Sequence, residues 1–282
     1  MAFQGEFGAW SEWAVRRACG AAAEPLPCRT LREVFDAIEA GRADLGVVPV
    51  ENSRAGSVVD TYDLLLQRTL AVRGEVAIPI EQCLLAPPGA RLEDVRRVYS
   101  HPQALAQCEA YLRRLGAETI AVYDTAGSAR SLGERPEEGA AAVASARAAG
   151  LYGLQVLARG IQDDPDNVTR FFVVGPSGPA VPGGPGRPRT LLALGLAEDD
   201  APGALFWSLG TLAFWRLNLS RIESRPSRKR SWHYHFYLDV DADAGACAGA
   251  VSELRARGAD VRVLGSFPSF EPAGPGDPPG AG

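Results

Sequence analysis

Hydrophobic positions along the first 175 residues alternate between two rhythms. Short unbroken apolar runs such as LGVVPV are the kind buried on both faces of a sheet, while stretches such as LREVFDAIEAG place Leu31, Val34, Phe35 and Ile38 at helical spacing. Ala2-Phe3 opens a strand, and Ser11 is expected to cap a helix with Trp13, Val15 and Cys19 on one side. Thr30 with Glu33 three residues on reads as a capping box, and Gly41 ends that helix. The strand Val98-Tyr99 follows, then a helix after Pro102 carrying Ala104, Leu105, Cys108, Tyr111 and Leu112. The strand TIAVY, a helix from Thr125, and GAAAVAS leading into a helix that ends at YGL complete the series. Alternation of this kind predicts an α/β domain with parallel sheets. Beyond residue 188 the rhythm changes. RTLLALGLA, PGALFWSLGTLAFW (a helix opened by Pro202), LNLSRIESRP, WHYHFYLDV, GACAGAVSELRARG and ADVRVLGSF read as a βαββαβ unit.

Between these regions, ten of the fourteen residues of GPSGPAVPGGPGRP (175–188) are Gly or Pro, a composition that disfavours both helix and central strand. This sets a large domain at 1–175, a linker at 176–188, a small domain at 189–267 and a disordered tail at 268–282. A formal net charge of -5 gives no electrostatic reason for a nucleic-acid partner, and no apolar run approaches bilayer length. The N-terminus lacks a basic region followed by an apolar core, as a secretory signal would have. Cys19, Cys28, Cys83, Cys108 and Cys247 are scattered, without C-x-x-C or a neighbouring His at ligand spacing, which suits reduced thiols in a cytoplasmic protein and argues against a structural zinc. Twenty-eight of the 29 basic residues are Arg, a mark of genome composition more than of chemistry.

Ligands of α/β sheets bind at the carboxyl ends of strands, beside helix N-termini whose free amides favour anions. Three polar turns are expected there: Glu51-Asn52-Ser53, Ser100-His101-Pro102-Gln103, and Asp124-Thr125-Ala126-Gly127-Ser128. A fourth donor-rich stretch, Gln162 to Asn167, enters the strand that begins with Thr169, Arg170 and Phe171. Together they point to a small, multiply charged acid as ligand. Taken singly, Thr125 and Ser128 read better as N-caps, and His101 could equally be structural.

The wording of these runs, FQGEFGAWSE, GVVPVENSRAGSV, SHPQALAQC, YDTAGSA, AAVAS with YGL, and NVTRFFVV, resembles in order and spacing the prephenate and arogenate dehydratase family. The resemblance implies a two-lobed catalytic domain similar to a type II periplasmic binding protein, lobe one being about 1–78 and 163–175 and lobe two about 79–162. It implies decarboxylating dehydration of prephenate to phenylpyruvate in phenylalanine biosynthesis, a carbon–oxygen lyase reaction that needs no cofactor or metal. Thr169 carries over as the residue tied to catalysis, with Arg170, Asn52 and Ser53 beside it. Glu51, Ser100, His101, Gln103, Thr125, Ala126, Asn167 and Phe171 are the expected substrate contacts.

GALFWSLGTLAFWRLNLSRIESRP in turn resembles the ferredoxin-like ACT domain attached to these enzymes. It implies an effector site for phenylalanine built from Gly203, Ala204, Leu205, Asn218, Leu219, Ser220, Glu223 and Ser224, completed by pairing of two such domains, hence a homodimer or homotetramer. His233 and His235 read as exposed strand residues. Two readings stand beside prephenate: arogenate as substrate, since SHPQALAQC and YDTAGSA are close to the plant type, or a non-catalytic amino-acid sensor. Prephenate is the first expectation because no plastid-type segment precedes the domain.

Overall fold

The computed structural model describes residues 1–181, 186–196, 201–226 and 234–269. The chain divides into two compact units, residues 1–62 with 77–171, and residues 63–76 with those from 172 onward.

The first part of the chain runs β1 (Ala2–Gln4), α1 (Trp10–Cys19), β2 (Leu26–Cys28), α2 (Leu31–Glu39), β3 (Gly46–Asn52), β4 (Gly56–Ser57), α3 (Val59–Gln67) and β5 (Ala71–Pro79). Then come β6 (Cys83–Ala86), a 3-10 turn at Leu92–Asp94, β7 (Arg97–Ser100), α4 (Pro102–Ala106), α5 (Glu109–Leu115), β8 (Glu118–Ala121), α6 (Thr125–Glu134), β9 (Ala140–Ala144), α7 (Ala146–Tyr152), β10 (Gln155–Ala158) and β11 (Val168–Gly175). One sheet is ordered β2-β1-β3-β11-β5 with β4 on the edge of β3, the other β10-β6-β9-β7-β8. This is a two-lobed α/β architecture.

The sheets are mixed, not parallel throughout as alternation suggested: β4 runs antiparallel to β3, and β6 runs antiparallel to both β9 and β10. The reason is that β3 turns directly into β4, so no helical crossover follows it. The helix expected after Pro102 is two, broken at Gln107-Cys108. Ser11 does not cap α1, whose N-cap is Ala9 without a side-chain bond, and the buried stripe is Ala14, Val15 and Ala18 with Glu12 in place of the expected Trp13–Val15–Cys19. The Thr30 cap is present: its hydroxyl accepts from the Glu33 amide at 3.1 Å, while the Glu33 carboxylate accepts from the Arg29 amide at 2.8 Å. Leu31, Val34, Phe35 and Ile38 are buried against the first sheet, so closely that a Cβ on Gly46 would lie 2.7 Å from Val34.

The later part is β12 (Pro188–Gly195), α8 (Ala204–Phe214), β13 (Leu219–Pro226), β14 (Tyr234–Val240), α9 (Ala244–Ala256) and β15 (Asp260–Pro268). The antiparallel order β13-β14-β12-β15 is the ferredoxin-like arrangement of an ACT-like domain. Pro202 does not open α8; Gly203 caps it, in the left-handed region at φ 81° that a glycine adopts without cost. Leu192, Leu194, Leu238, Val240 and Val261 form a core with Leu212 of α8 and Val251 and Leu254 of α9. The residues 63–76 belong to this unit: buried Glu75 takes a 2.8 Å bond from Arg189, and Arg262 donates to the carbonyls of Leu66 and Arg68 at the end of α3. Residues 182–185 of the Gly/Pro stretch, His233, and residues 270–282 of the expected tail lie outside the described residues.

Burial raises the thiol pKa of all five cysteines, furthest for Cys108, to about 12 with the nearby Asp163 adding to the shift. Because the thiolate is the nucleophile, alkylation at pH 8 should reach the half-buried Cys19 first, and Cys108 should stay slow up to pH 10 until denaturant is added. Peptide mapping after timed alkylation checks both; early labelling of Cys108 in the folded chain would contradict them.

Candidate functional site

Two of the cavities in the two-lobed unit are lined by expected site residues. The first, about 330 Å³, is lined by Arg54 and Ala55 from the β3–β4 turn, Gln103, Ala106 and Gln107 from α4 and its end, and Gln162, Asp163, Asp164 and Asn167 from the loop before β11. The second, about 270 Å³, is lined by the Gln4–Ser11 loop, Arg29, His101, Gln103, Tyr123, Asp124, Thr125, Ala126 and Ser145. Gln103 faces both.

Next to the first cavity lies a hydrogen-bond network whose polarity can be read from the backbone. Asn52 Oδ1 accepts from the amides of Arg54 and Ala55, both at 3.0 Å; backbone N–H groups can only donate, so this atom must be the oxygen. The other end of the amide is therefore the NH2, which donates at 2.8 Å to Thr169 Oγ1 and at 2.8 Å to Asn167 Oδ1. Thr169 is thus an acceptor toward Asn52, and its own hydroxyl proton is left to point elsewhere. Asn167, 1% exposed, is left with a buried Nδ2 that has no partner. Ser53 joins the same strand starts: its hydroxyl donates to the Asp166 carbonyl and accepts from the Val168 amide, and its amide donates to the Val168 carbonyl. Arg170 sits 3.8 Å from Glu51, so its charge is partly balanced within the site.

The amides expected to hold an anion at Asn52–Ser53 are therefore spent internally, because β3 continues into a hairpin and no helix begins there. Gln103 and Asn167 line the first cavity, and His101, Gln103, Thr125 and Ala126 the second. Thr169, half-buried, lines neither, and lies two hydrogen-bond lengths from Asn167 through Asn52. Phe171 is packed in the core, and Ser100 is fully buried with its hydroxyl on the Val143 carbonyl, so neither side chain is presented to a ligand. His101 caps α4, Nδ1 accepting from the Gln103 amide. Asp124, not Thr125 or Ser128, is the N-cap of α6, through the Gly127 amide at 2.7 Å.

Sequence reasoning passed over the residues that shape the second cavity. Glu12, 1% exposed, accepts from the Gly8 amide at 2.7 Å and from Arg147 at 2.9 Å. Ser145 and Tyr152 donate to the Gly8 and Phe7 carbonyls at 2.7 and 2.6 Å. Four groups thus pin the Gly5–Ser11 loop to α6–α7 when the Arg130–Glu6 pair at 2.9 Å is included. The only signal in the sequence is an acid on the apolar side of α1. In the C-terminal unit the expected effector residues fall in two groups, Gly203, Ala204 and Leu205 at the start of α8, and Asn218 to Ser224 along β13. Asn218 donates to Asp241 at 2.6 Å, Ser220 reaches the Asp239 carbonyl at 3.4 Å, Glu223 pairs with Arg221 at 3.1 Å, Leu219 packs on the core and Ser224 is exposed. Half-buried His235 lies on β14. Among the described residues no helix is long and apolar enough to cross a membrane.

Comparison with known proteins adds the family. The chain is 42% identical over 279 residues to an enzyme of Arabidopsis thaliana described as arogenate dehydratase/prephenate dehydratase 2, chloroplastic, covering 95% of this chain and 72% of that one. A solved structure of the prephenate dehydratase from Arthrobacter aurescens in complex with L-Phe superposes with a TM-score of 0.83 at 36% identity, covering 95% and 89% of the two chains. Another, described as GqqA, a novel type of quorum quenching acylase, superposes at 0.85 and 35% identity, covering 95% and 97%. The family model for prephenate dehydratase matches residues 1–178, and with these relatives it establishes that the chain is a dehydratase belonging to the prephenate dehydratase family.

Proposed function

We propose that this chain performs the decarboxylating dehydration of a prephenate-type ring acid, prephenate to phenylpyruvate or arogenate to phenylalanine, with Thr169 as the group that serves the leaving oxygen. The carrying observation is the fixed polarity of the Asn52 amide, which leaves the Thr169 proton available. In the reaction the bond from the ring to its carboxylate breaks and CO2 departs. The freed electron pair forms the new ring double bond, and the ring C–O bond breaks as the hydroxyl takes up a proton and leaves as water. The protein must supply a proton or strong hydrogen bond at that oxygen and donors for the side-chain carboxylate. A threonine hydroxyl is a weak acid, so Thr169 acts as a positioned hydrogen-bond donor or relay; positioned proton donation is worth roughly a hundred- to ten-thousand-fold in rate. Arg170, next along β11, places positive charge beside it, tempered by Glu51.

The domain division that goes with this reading is a catalytic part at 1–175 and an ACT part at 189–267 joined by 176–188. The L-Phe named with the Arthrobacter aurescens structure supports phenylalanine as effector here, acting through the residues at the start of α8 and on β13 of paired domains. An effector that prefers one subunit arrangement by about 1 to 3 kcal/mol would shift affinity at the cleft by about 5- to 150-fold.

Three measurements test this reading. Thr169→Val, which keeps the shape and removes the hydroxyl, should lower kcat by about a hundredfold or more with KM within about threefold. Asn52→Asp should do the same by the opposite route: it still accepts from Arg54 and Ala55 but turns an acceptor toward Thr169, whose proton is then drawn to it. Unchanged kcat in either variant would remove Thr169 from its role. Phenylalanine titrated against activity should shift the substrate half-saturation within the range above, and a flat response at millimolar effector would remove the regulatory part.

A further inference from the structure

The first cavity offers more than the proposed chemistry uses. Gln162 Oε1 accepts from the Gln82 amide at 2.9 Å and Gln107 Oε1 from Gln82 Nε2 at 3.3 Å, so both glutamines, like Asn167, have spent their oxygens and keep NH2 groups to give. Three amides with donors in hand, one of them buried and unpartnered, line a cavity that Arg54 enters from the β3–β4 turn. That set suits a carboxylate. The Arg54 guanidinium is not alone: it is ion-paired with Asp164, whose second oxygen is held by the Asp166 amide at 2.8 Å. Asp163 is engaged otherwise, capping α5 through the Ala110 amide.

We infer that Arg54 and Asp164 are the specificity-determining pair of this enzyme, and that they select a substrate whose side chain ends in an α-amino acid, as arogenate's does, over one ending in an α-keto acid, as prephenate's does. The inference rests on the dehydratase reading of the preceding subsection. Its physical basis is charge matching. A keto acid's carboxylate must take Arg54 from Asp164 and leaves that carboxylate without a cation. An amino acid brings an ammonium for Asp164 as its carboxylate takes Arg54 and the Asn167 NH2, so every charge ends paired. The leaving hydroxyl and the side-chain carboxylate are at opposite ends of such a ring. A tail cavity that adjoins Thr169 through Asn52 and Asn167, without containing it, has the right placement for this. Arg54 and Asp164 are 48% and 35% exposed, so solvent screens the pair and the discrimination is moderate.

Steady-state kinetics of the full chain on both substrates test this. The wild type should show a higher kcat/KM for arogenate by about tenfold or more. Asp164→Asn, which can keep the Asp166 bond, should cut the arogenate-to-prephenate ratio by about tenfold, through a higher KM for arogenate and a lower one for prephenate. Asp164→Glu should restore most of it, and the preference should shrink as salt rises from 0.05 to 0.5 M. Arg54→Gln should raise KM for both substrates and so reads the same pair independently if Asp164→Asn folds poorly. A wild-type preference for prephenate, a ratio that Asp164→Asn leaves unchanged, or a KM that Arg54→Gln leaves unchanged for both substrates overturns the inference while leaving the dehydratase reading intact. Failure to turn over either substrate overturns both.

Discussion

The site depends on the orientation of one amide. Asn52 ends β3, and its oxygen is fixed by two backbone N–H groups of the turn that follows; from that the direction of every further bond is set, to Thr169, to Asn167 and outward. A buried amide with all its bonds made is stable and specific, and reversing it would set oxygen against oxygen at Asn167 and donor against donor at the turn. The network also joins β3 to the start of β11, strands that lie side by side in the sheet but over a hundred residues apart in sequence. The Thr169 hydroxyl therefore keeps a proton that has nowhere else to go within this network.

Elsewhere in the two-lobed unit the Gly5–Ser11 loop is tied down by bonds to other elements. Glu12 is buried with a bidentate guanidinium and a backbone amide, which compensates the loss of water around its charge, and Ser145, Tyr152 and Arg130 add bonds to the same loop. The second cavity takes its wall from this loop, so its shape is set by bonds between elements and not by loop composition. Dehydration with loss of CO2 develops charge on a leaving oxygen, and fixed donors serve such charge better than mobile water does.

In the C-terminal unit the physics is simpler. An antiparallel sheet buries one face under two helices, and residues 63–76 pack with the same unit, anchored through Glu75 with Arg189 and through Arg262 on the end of α3. A chain segment more than a hundred residues upstream thus packs with the C-terminal unit.

Much of this was legible in the sequence because it is local. Helical spacing of Leu31, Val34, Phe35 and Ile38, the Thr30–Glu33 cap and the βαββαβ rhythm each act within a few residues, and the order of six short motifs identified the family. The rest needed contacts between distant residues. Neither period nor composition says that β3 turns into a hairpin, that β6 runs against its neighbours, that Glu12 is buried, or that residues 63–76 pack with the later unit. Arg54 and Asp164 read as two solvated charges 110 positions apart, and only the folded chain, by laying the β3–β4 turn against the loop before β11, makes them a pair at a cavity. Sequence carries short-range preference; direction of a hydrogen bond and partnership of a charge are properties of three-dimensional proximity, and those are what the site is made of.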